Sequence, residues 1–119
     1  MKRDLDQRLR KFVQRILNLA RHLRAVVGAE RIADQISRCG PSIRFNYAES
    51  QAASSRAHFI SIIEIAEREA RETKAALETI MDVPFVKPSR LTDLYTESCE
   101  IVAILTTIAK RAKQNRDIA

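Results

Sequence analysis

Glycine, proline and aromatic residues are scarce in this sequence, and it has no long apolar run. The 119 residues include 2 Gly, 3 Pro and no Trp, so turns are few and a many-stranded sandwich or barrel is not expected. No window approaches the roughly 18 apolar residues of a membrane-spanning helix. The basic start MKRDLDQRLR is followed by neither an apolar stretch nor a cleavage site, so we expect no secretory signal. These absences predict a cytoplasmic protein with no membrane segment.

The residue patterns of most metal, cofactor and catalytic sites are also missing. The two glycines are isolated, which leaves no phosphate-binding glycine loop. His22 and His58 stand alone, without further ligands at metal-binding spacing. Cys39 and Cys99 are far apart and form no Cys-x-x-Cys pair, which indicates two reduced thiols. No nucleophile–base pair is recognisable. We therefore expect a protein that uses no metal or cofactor and is not an enzyme.

Charge is concentrated at the two ends of the chain. The net charge is +6, but residues 1–24 and 110–119 together carry 12 basic and 3 acidic side chains, whereas the middle carries 9 and 12. This polarity predicts an acidic partner such as nucleic acid, RNA or DNA. The alternative is a solvated helix face that only keeps the protein soluble. The candidate nucleic-acid-binding residues are Lys2, Arg3, Arg8, Arg10, Lys11, Arg15, Arg21, Lys110, Arg111 and Lys113.

Four segments carry apolar residues at three- and four-residue steps, which is the pattern of amphipathic helices. The predicted helices span residues 3–26, 30–50, 55–81 and 90–113, with Ser54 or Ser55 capping the third. Short connections between such helices predict one all-α domain over residues 1–119, an antiparallel up-and-down four-helix bundle. In that topology the end of the fourth helix lies beside the start of the first. The two basic clusters should then form one patch.

The second helix holds the most unusual residues. Pro41 removes a backbone donor, so we expect a kink or a break near Ser37. Phe45 points away from the apolar stripe and is either a subunit contact or a lone surface aromatic. Asn46 borders the stripe, where its amide is expected to bond another helix or a neighbouring subunit unless it is solvated. Glu49 should accept hydrogen bonds nearby or across a subunit boundary.

The third helix places a carboxylate at the edge of its apolar stripe. Glu69 occupies that edge, and Glu72 lies just outside it. A buried carboxylate must find a partner or shift its pKa. We interpret Glu69 as a structural hydrogen-bond acceptor rather than a catalyst.

The second and third helices contain residues that match a known sequence pattern. The matching residues are Gln35, Ile36, Arg38, Ser42, Ile43, Asn46, Ala48 and Glu49, followed in the third helix by Phe59, Ile60, Ile65, Ala66, Glu72 and Leu77. In these residues the chain resembles the four-helix-bundle proteins encoded within intervening sequences of bacterial large-subunit (23S) ribosomal RNA genes, which carry S-Q-I-R-R-A-A-x-S-I-P-x-N-I-A-E-G. This chain departs from the pattern at Arg44, where the family has proline, and at Ser50, where it has glycine.

The resemblance implies a cytoplasmic, non-enzymatic bundle that assembles as a homopentamer, with RNA binding its suspected role. The chain is also similar to the accessory variability proteins of diversity-generating retroelements, which are basic pentameric bundles that bind a reverse transcriptase and nucleic acid. Two functions follow: an oligomeric module that binds nucleic acid with low sequence specificity, or a protein-interaction scaffold such as a reverse-transcriptase accessory subunit. The residues expected to have structural or interface roles are Ser42, Phe45, Asn46, Glu49 and Glu72.

Overall fold

Four α-helices account for most of the chain. The computed structural model describes the backbone of residues 2–118 and the side chains of residues 4–115. Its elements are α1 (Lys2–Leu23), α2 (Glu30–Ser50), α3 (Arg56–Asp82), a 3₁₀ turn at Pro88–Arg90 and α4 (Thr92–Ile118). No strand occurs within the described residues. In the same part of the chain, no helix is both long enough and apolar enough to cross a membrane. The all-α, antiparallel up-and-down bundle predicted from the sequence is confirmed.

The apolar stripes of the four helices meet along the bundle axis. Burying each large apolar side chain there stabilises the folded state by roughly 1.5–3 kcal/mol. The fully buried ones are Leu9, Phe12, Ile16, Leu23, Ile36, Ile43, Ile63, Leu77, Ile80, Ile101 and Leu105. Each helix packs closely on the next in the chain, but α1 and α4 contact each other only sparsely. A cleft therefore opens between α1 and α4.

α2 continues through Pro41, so of the two predicted outcomes, a kink or a break, the break does not occur. The neighbouring residue Gly40 lets α2 pack closely against α1 at this point. A Cβ atom at Gly40 would lie 2.7 Å from Cγ2 of Ile16 on α1, so only glycine lets the two helices approach this closely. On the same helix, the Ser37 hydroxyl donates to the Ala33 carbonyl at 2.7 Å. Because α2 is packed between α1 and α3, tertiary contacts keep it helical despite the missing proline donor.

α1 ends three residues earlier than predicted because a turn takes over. The backbone N–H groups of Ala25 and Val26 donate to carbonyls three residues back, at 3.1 and 2.9 Å. Hydrogen bonds of this spacing form a turn that is tighter than an α-helix and end α1. Gly28 then adopts a φ of +90°, a conformation that glycine adopts without strain. The turn lets α2 begin antiparallel to α1 at Glu30.

The ends of α3 and α4 follow from capping and from helix breakers. Ser55, one of the two predicted caps, accepts a hydrogen bond from the His58 backbone N–H at 3.1 Å. The prolines before α4 confine the chain to the short 3₁₀ turn, so α4 begins at Thr92, slightly later than predicted. It then runs to Ile118, past the predicted end at residue 113, since no glycine or proline interrupts it.

Candidate nucleic-acid interface

A row of unpaired basic side chains covers the outward face of α1. Arg10, Lys11, Arg15 and Arg21 are all exposed, because the opposite face of α1 is buried in the core. No ion pair or hydrogen bond to any of these four side chains is found among the described residues. We call these four residues the α1 basic band. The side chains of Lys2 and Arg3, two further predicted binding residues, lie outside the described part.

Arg8 differs from the band because carboxylates on α4 already hold it. Its Nε and Nη2 atoms donate to the two carboxylate oxygens of Glu97 at 3.0 and 2.7 Å. Nη2 also lies 3.7 Å from Glu100. The hydrogen bonds to Glu97 raise the pKa of the Arg8 guanidinium. This predicted binding residue joins α1 to α4, and its charge is neutralised in the monomer.

The predicted binding residues of α4 also include both unpaired and paired cations. Lys110 and Arg111 are exposed and make no ion pair among the residues that the structure describes. Lys113 instead lies 2.5 Å from a carboxylate oxygen of Glu64 on α3. Lys110 and Arg111 are therefore free to meet a phosphate, whereas Lys113 would first have to leave Glu64.

Arg8 and Arg111 face the same cleft between α1 and α4. The structure thus brings the start of α1 and the end of α4 together, as the up-and-down topology requires. The cleft has a volume of about 540 Å³, and we call it the α1/α4 cleft. Its lining residues are Asp4, Leu5, Arg8, Tyr47, Ala103, Ile104, Thr107, Ile108 and Arg111.

A second depression lies next to this cleft, at the start of α3. It has a volume of about 480 Å³, and we call it the α3/α4 hollow. Its lining residues are Arg56, Phe59, Ile108, Arg111, Ala112 and Asn115. Arg56 was not among the predicted binding residues, although the topology places the start of α3 at this end of the bundle. Tyr47 is buried and Phe59 is half-buried, yet Tyr47 borders the cleft and Phe59 borders the hollow.

The polar residues of the α2 pattern bond within their own helix. The Asn46 side-chain amide is half-buried and donates to the Ser42 carbonyl at 2.9 Å and to the Ser42 hydroxyl at 3.1 Å. Within the described chain, the expected bond from Asn46 to another helix is not formed. Glu49 is exposed, and no hydrogen bond to its side chain is found in the described part of the structure. Both residues therefore stay available to a contact outside the monomer.

Phe45 is the centre of an exposed apolar surface. Its exposed fraction is 65%, in agreement with the prediction that it points away from the stripe. Val13 and Pro41 lie beside it around a shallow depression, and Arg10 and Arg44 border the same depression. We call Val13, Pro41 and Phe45 the Phe45 patch. Large exposed apolar patches mark interaction sites, whereas single exposed apolar side chains are common on protein surfaces, so both predicted alternatives for Phe45 stay open.

Glu69 and Glu72 share one cation on α2. Arg38 lies 3.7 Å from Glu69 and 3.4 Å from Glu72. The Oε2 atom of Glu69 is buried without a hydrogen-bond donor. Burial raises the pKa of the Glu69 carboxyl, and the nearby charge of Glu72 adds to the rise. This cluster links α2 to α3 by charge, and Glu69 is not the satisfied acceptor that the sequence predicts.

These features define a small helical bundle with a basic helix face and a basic end. The described residues contain no cluster of three or more histidine, cysteine or acidic side chains that could hold a metal ion. The chain belongs to the 23S rRNA-intervening sequence protein family, whose family model matches residues 2–107. The resemblance carried by the α2 pattern is thereby confirmed.

A solved structure supports the same assignment. It is the 1.70 Å crystal structure of a protein of unknown function from the S23 ribosomal protein family of Bacteroides thetaiotaomicron VPI-5482. The two chains are 32% identical with a TM-score of 0.81, and the match covers 92% of this chain and 99% of the other. No protein with a curated description matches the sequence.

Proposed function

We propose that this protein is a non-enzymatic, oligomeric, cytoplasmic module that binds RNA or DNA through phosphate contacts. The observation that carries the proposal is the α1 basic band: Arg10, Lys11, Arg15 and Arg21 are exposed and unpaired among the described residues. Cations that serve the fold are instead matched to carboxylates, as Arg8 is to Glu97. The band therefore has charge that the fold does not use.

Lys110 and Arg111 extend this basic surface at the shared end of α1 and α4. Phosphate contacts fix the position of a nucleic acid but carry no sequence information. Large aromatic surfaces that could stack several bases are absent from the band, so binding should tolerate changes of sequence. The binding affinity should also fall steeply with salt concentration, because each neutralised phosphate releases counterions.

Assembly would multiply this charge. The pentamer implied by the family resemblance would carry about +30 from five chains of +6 each. The Phe45 patch supports a contact between copies, since it is the most exposed aromatic surface of the monomer. A ring would repeat the basic band around its axis and bind a polyanion at several points.

The test is a filter-binding titration of labelled RNA and DNA in about 50 mM salt. The reversal variant is Arg10→Glu, Lys11→Glu and Arg15→Glu together. The matched control is Arg31→Glu, Lys87→Glu and Arg90→Glu, which changes the net charge equally at exposed, unpaired positions elsewhere. The band variant should lose binding while the control retains most of it. Equal loss in both variants would mean that only net charge matters.

The second candidate function is a protein-interaction scaffold, such as an accessory subunit of a diversity-generating-retroelement reverse transcriptase. The observation in its favour is the Phe45 patch with Arg10 and Arg44 at its border, because an apolar centre with a charged rim is the usual anatomy of a protein contact. A reverse-transcriptase gene and repeats next to this gene would favour the scaffold, whereas a surrounding ribosomal RNA operon would favour the first function.

A further inference from the structure

Two adjoining depressions at the basic end share the same wall. Ile108 and Arg111 of α4 line both the α1/α4 cleft and the α3/α4 hollow. Each depression is also lined by one aromatic side chain, Tyr47 in the cleft and Phe59 in the hollow. Their volumes, about 540 and 480 Å³, fall in the range of sites that take small organic groups. An exposed arginine therefore stands between two partly apolar depressions.

We propose that the two depressions receive neighbouring unpaired bases of a single-stranded nucleic acid, with the phosphate between them on Arg111. This inference rests on the proposed function and names the form of nucleic acid that this end of the bundle prefers. Arg111 is exposed and free of ion pairs within the described residues. A single strand alternates flat, largely apolar bases with charged phosphates. The two depressions match the bases, and Arg111 between them matches the phosphate.

The charges around the depressions indicate the path of the strand. Asp4 lies on the α1 wall of the cleft, where it repels phosphate. Lys110 and Arg111 are on α4, and Arg56 borders the far side of the hollow. The sugar–phosphate backbone should therefore run over α4 towards the start of α3, with the bases turned inward. In a duplex the bases stay stacked and paired, so they cannot enter.

The choice between single strand and duplex separates this inference from simple charge attraction. A duplex carries about one charge per 1.7 Å of axis and releases more counterions than a single strand of equal length. A site made only of cations therefore favours the duplex. A preference for the single strand requires contacts to unpaired bases, which are worth enough in other proteins to shift affinity by roughly fivefold or more.

The experiment compares oligo(U), oligo(dT) and a mixed-sequence duplex of the same length by fluorescence anisotropy. Wild type should bind both single strands roughly fivefold or more tightly than the duplex. Ala103→Phe fills the cleft from an exposed position and should abolish the preference. Ala75→Phe makes the same change at an exposed position of α3 outside both depressions and should retain it. Circular dichroism of both variants checks that the bundle is folded.

A second variant tests the phosphate contact. Arg111→Gln should lower the salt dependence of single-strand binding by about one phosphate, whereas Arg31→Gln should leave it unchanged. Equal or tighter duplex binding by wild type, or equal effects of the two phenylalanine variants, would overturn this inference while the proposed function stands. If Ala103→Phe changes the oligomeric mass instead, the cleft is a contact between copies and the inference is wrong. If no nucleic acid binds at all, the inference and the proposed function both fall.

Discussion

Arg8 of α1 and Glu97 of α4 form a two-point ion pair, with nitrogen–oxygen distances of 3.0 and 2.7 Å. The pair spans the two neighbouring helices of the bundle that contact each other least. It therefore braces α1 against α4 beside the α1/α4 cleft, which Arg8 also lines. Arg8 and Arg111 both line this cleft, so the ion pair lies at the basic end of the bundle.

We expect the Arg8–Glu97 pair to contribute about 0.5–1 kcal/mol to the free energy of unfolding, since the Arg8 side chain is 37% exposed and screened by water. A double-mutant cycle of Arg8→Gln and Glu97→Gln, followed by urea unfolding, measures this coupling. The control cycle uses Arg24 and Asp34, whose side chains are 49% and 69% exposed. A coupling for Arg8–Glu97 no larger than that of the control would contradict the bracing role.

Gly40→Ala should destabilise the protein by about 1–3 kcal/mol, although alanine is the better helix former by about 1 kcal/mol. The added methyl group would meet Cγ2 of Ile16 at 2.7 Å, so α1 and α2 would have to separate. Thermal unfolding measures the loss. Combining the change with Ile16→Ala should cost less than the sum of the two single changes; strict additivity would show that the close approach is not where the cost arises.

Glu69→Gln should stabilise the protein at pH 7. Burial raises the pKa of Glu69, so the folded chain holds this proton to higher pH than the unfolded chain. Stability then falls as pH rises from the unfolded pKa, about 4.3, through the raised folded pKa. The uncharged variant avoids that loss, and its advantage over wild type should vanish as the pH falls below about 4.

Urea unfolding of wild type and Glu69→Gln across this pH range provides the measurement. Glu72→Gln is the matched control, because Glu72 lies 3.4 Å from the same Arg38 but its side chain is 36% exposed against 14% for Glu69. It should bring no stability gain at pH 7. A Glu69→Gln variant that is less stable than wild type at pH 7 would show that attraction to Arg38 outweighs burial.

Phe45→Ser should lower the oligomeric mass measured by light scattering at micromolar concentration, because it removes the centre of the Phe45 patch. The helical content should not change, since Phe45 is 65% exposed in the monomer. Val27→Ser is the matched control at another exposed apolar residue, 93% exposed in the turn after α1. A wild-type mass of 13.6 kDa, that of one chain, would show that the patch does not join copies of this protein.

The periodic patterns were sufficient to predict the bundle, and local rules were sufficient for the Ser55 cap. At Pro41 local rules left a kink and a break open, and the structure excludes the break, since α2 runs from Glu30 to Ser50. At Asn46 they predicted a bond to another helix or a neighbouring subunit, whereas within the described chain the amide bonds Ser42 one turn back. In both places the outcome depends on how neighbouring side chains and helices pack, which a single-helix pattern does not contain.

The basic surface was predictable only in outline. Spacing on α1 placed the α1 basic band on its outward face, but Arg8 and Lys113 are paired with Glu97 and Glu64, residues far away in the chain. Such partners depend on the register between helices. The same register brings Arg56 to the basic end, which the charge pattern of the two termini alone does not reveal.

The salt dependence of duplex binding shows whether the α1 basic band binds nucleic acid through phosphate contacts. Affinity is measured for two duplexes of equal length and unrelated sequence between about 50 and 200 mM salt. Each phosphate neutralised on a duplex adds about −0.9 to the slope of log K against log salt. If the α1 basic band contacts phosphates, this slope should be about −3 or steeper. The two sequences should give the same slope and similar affinities. A shallow slope, or strong binding of one sequence alone, would show that phosphate contacts by the α1 basic band do not drive binding.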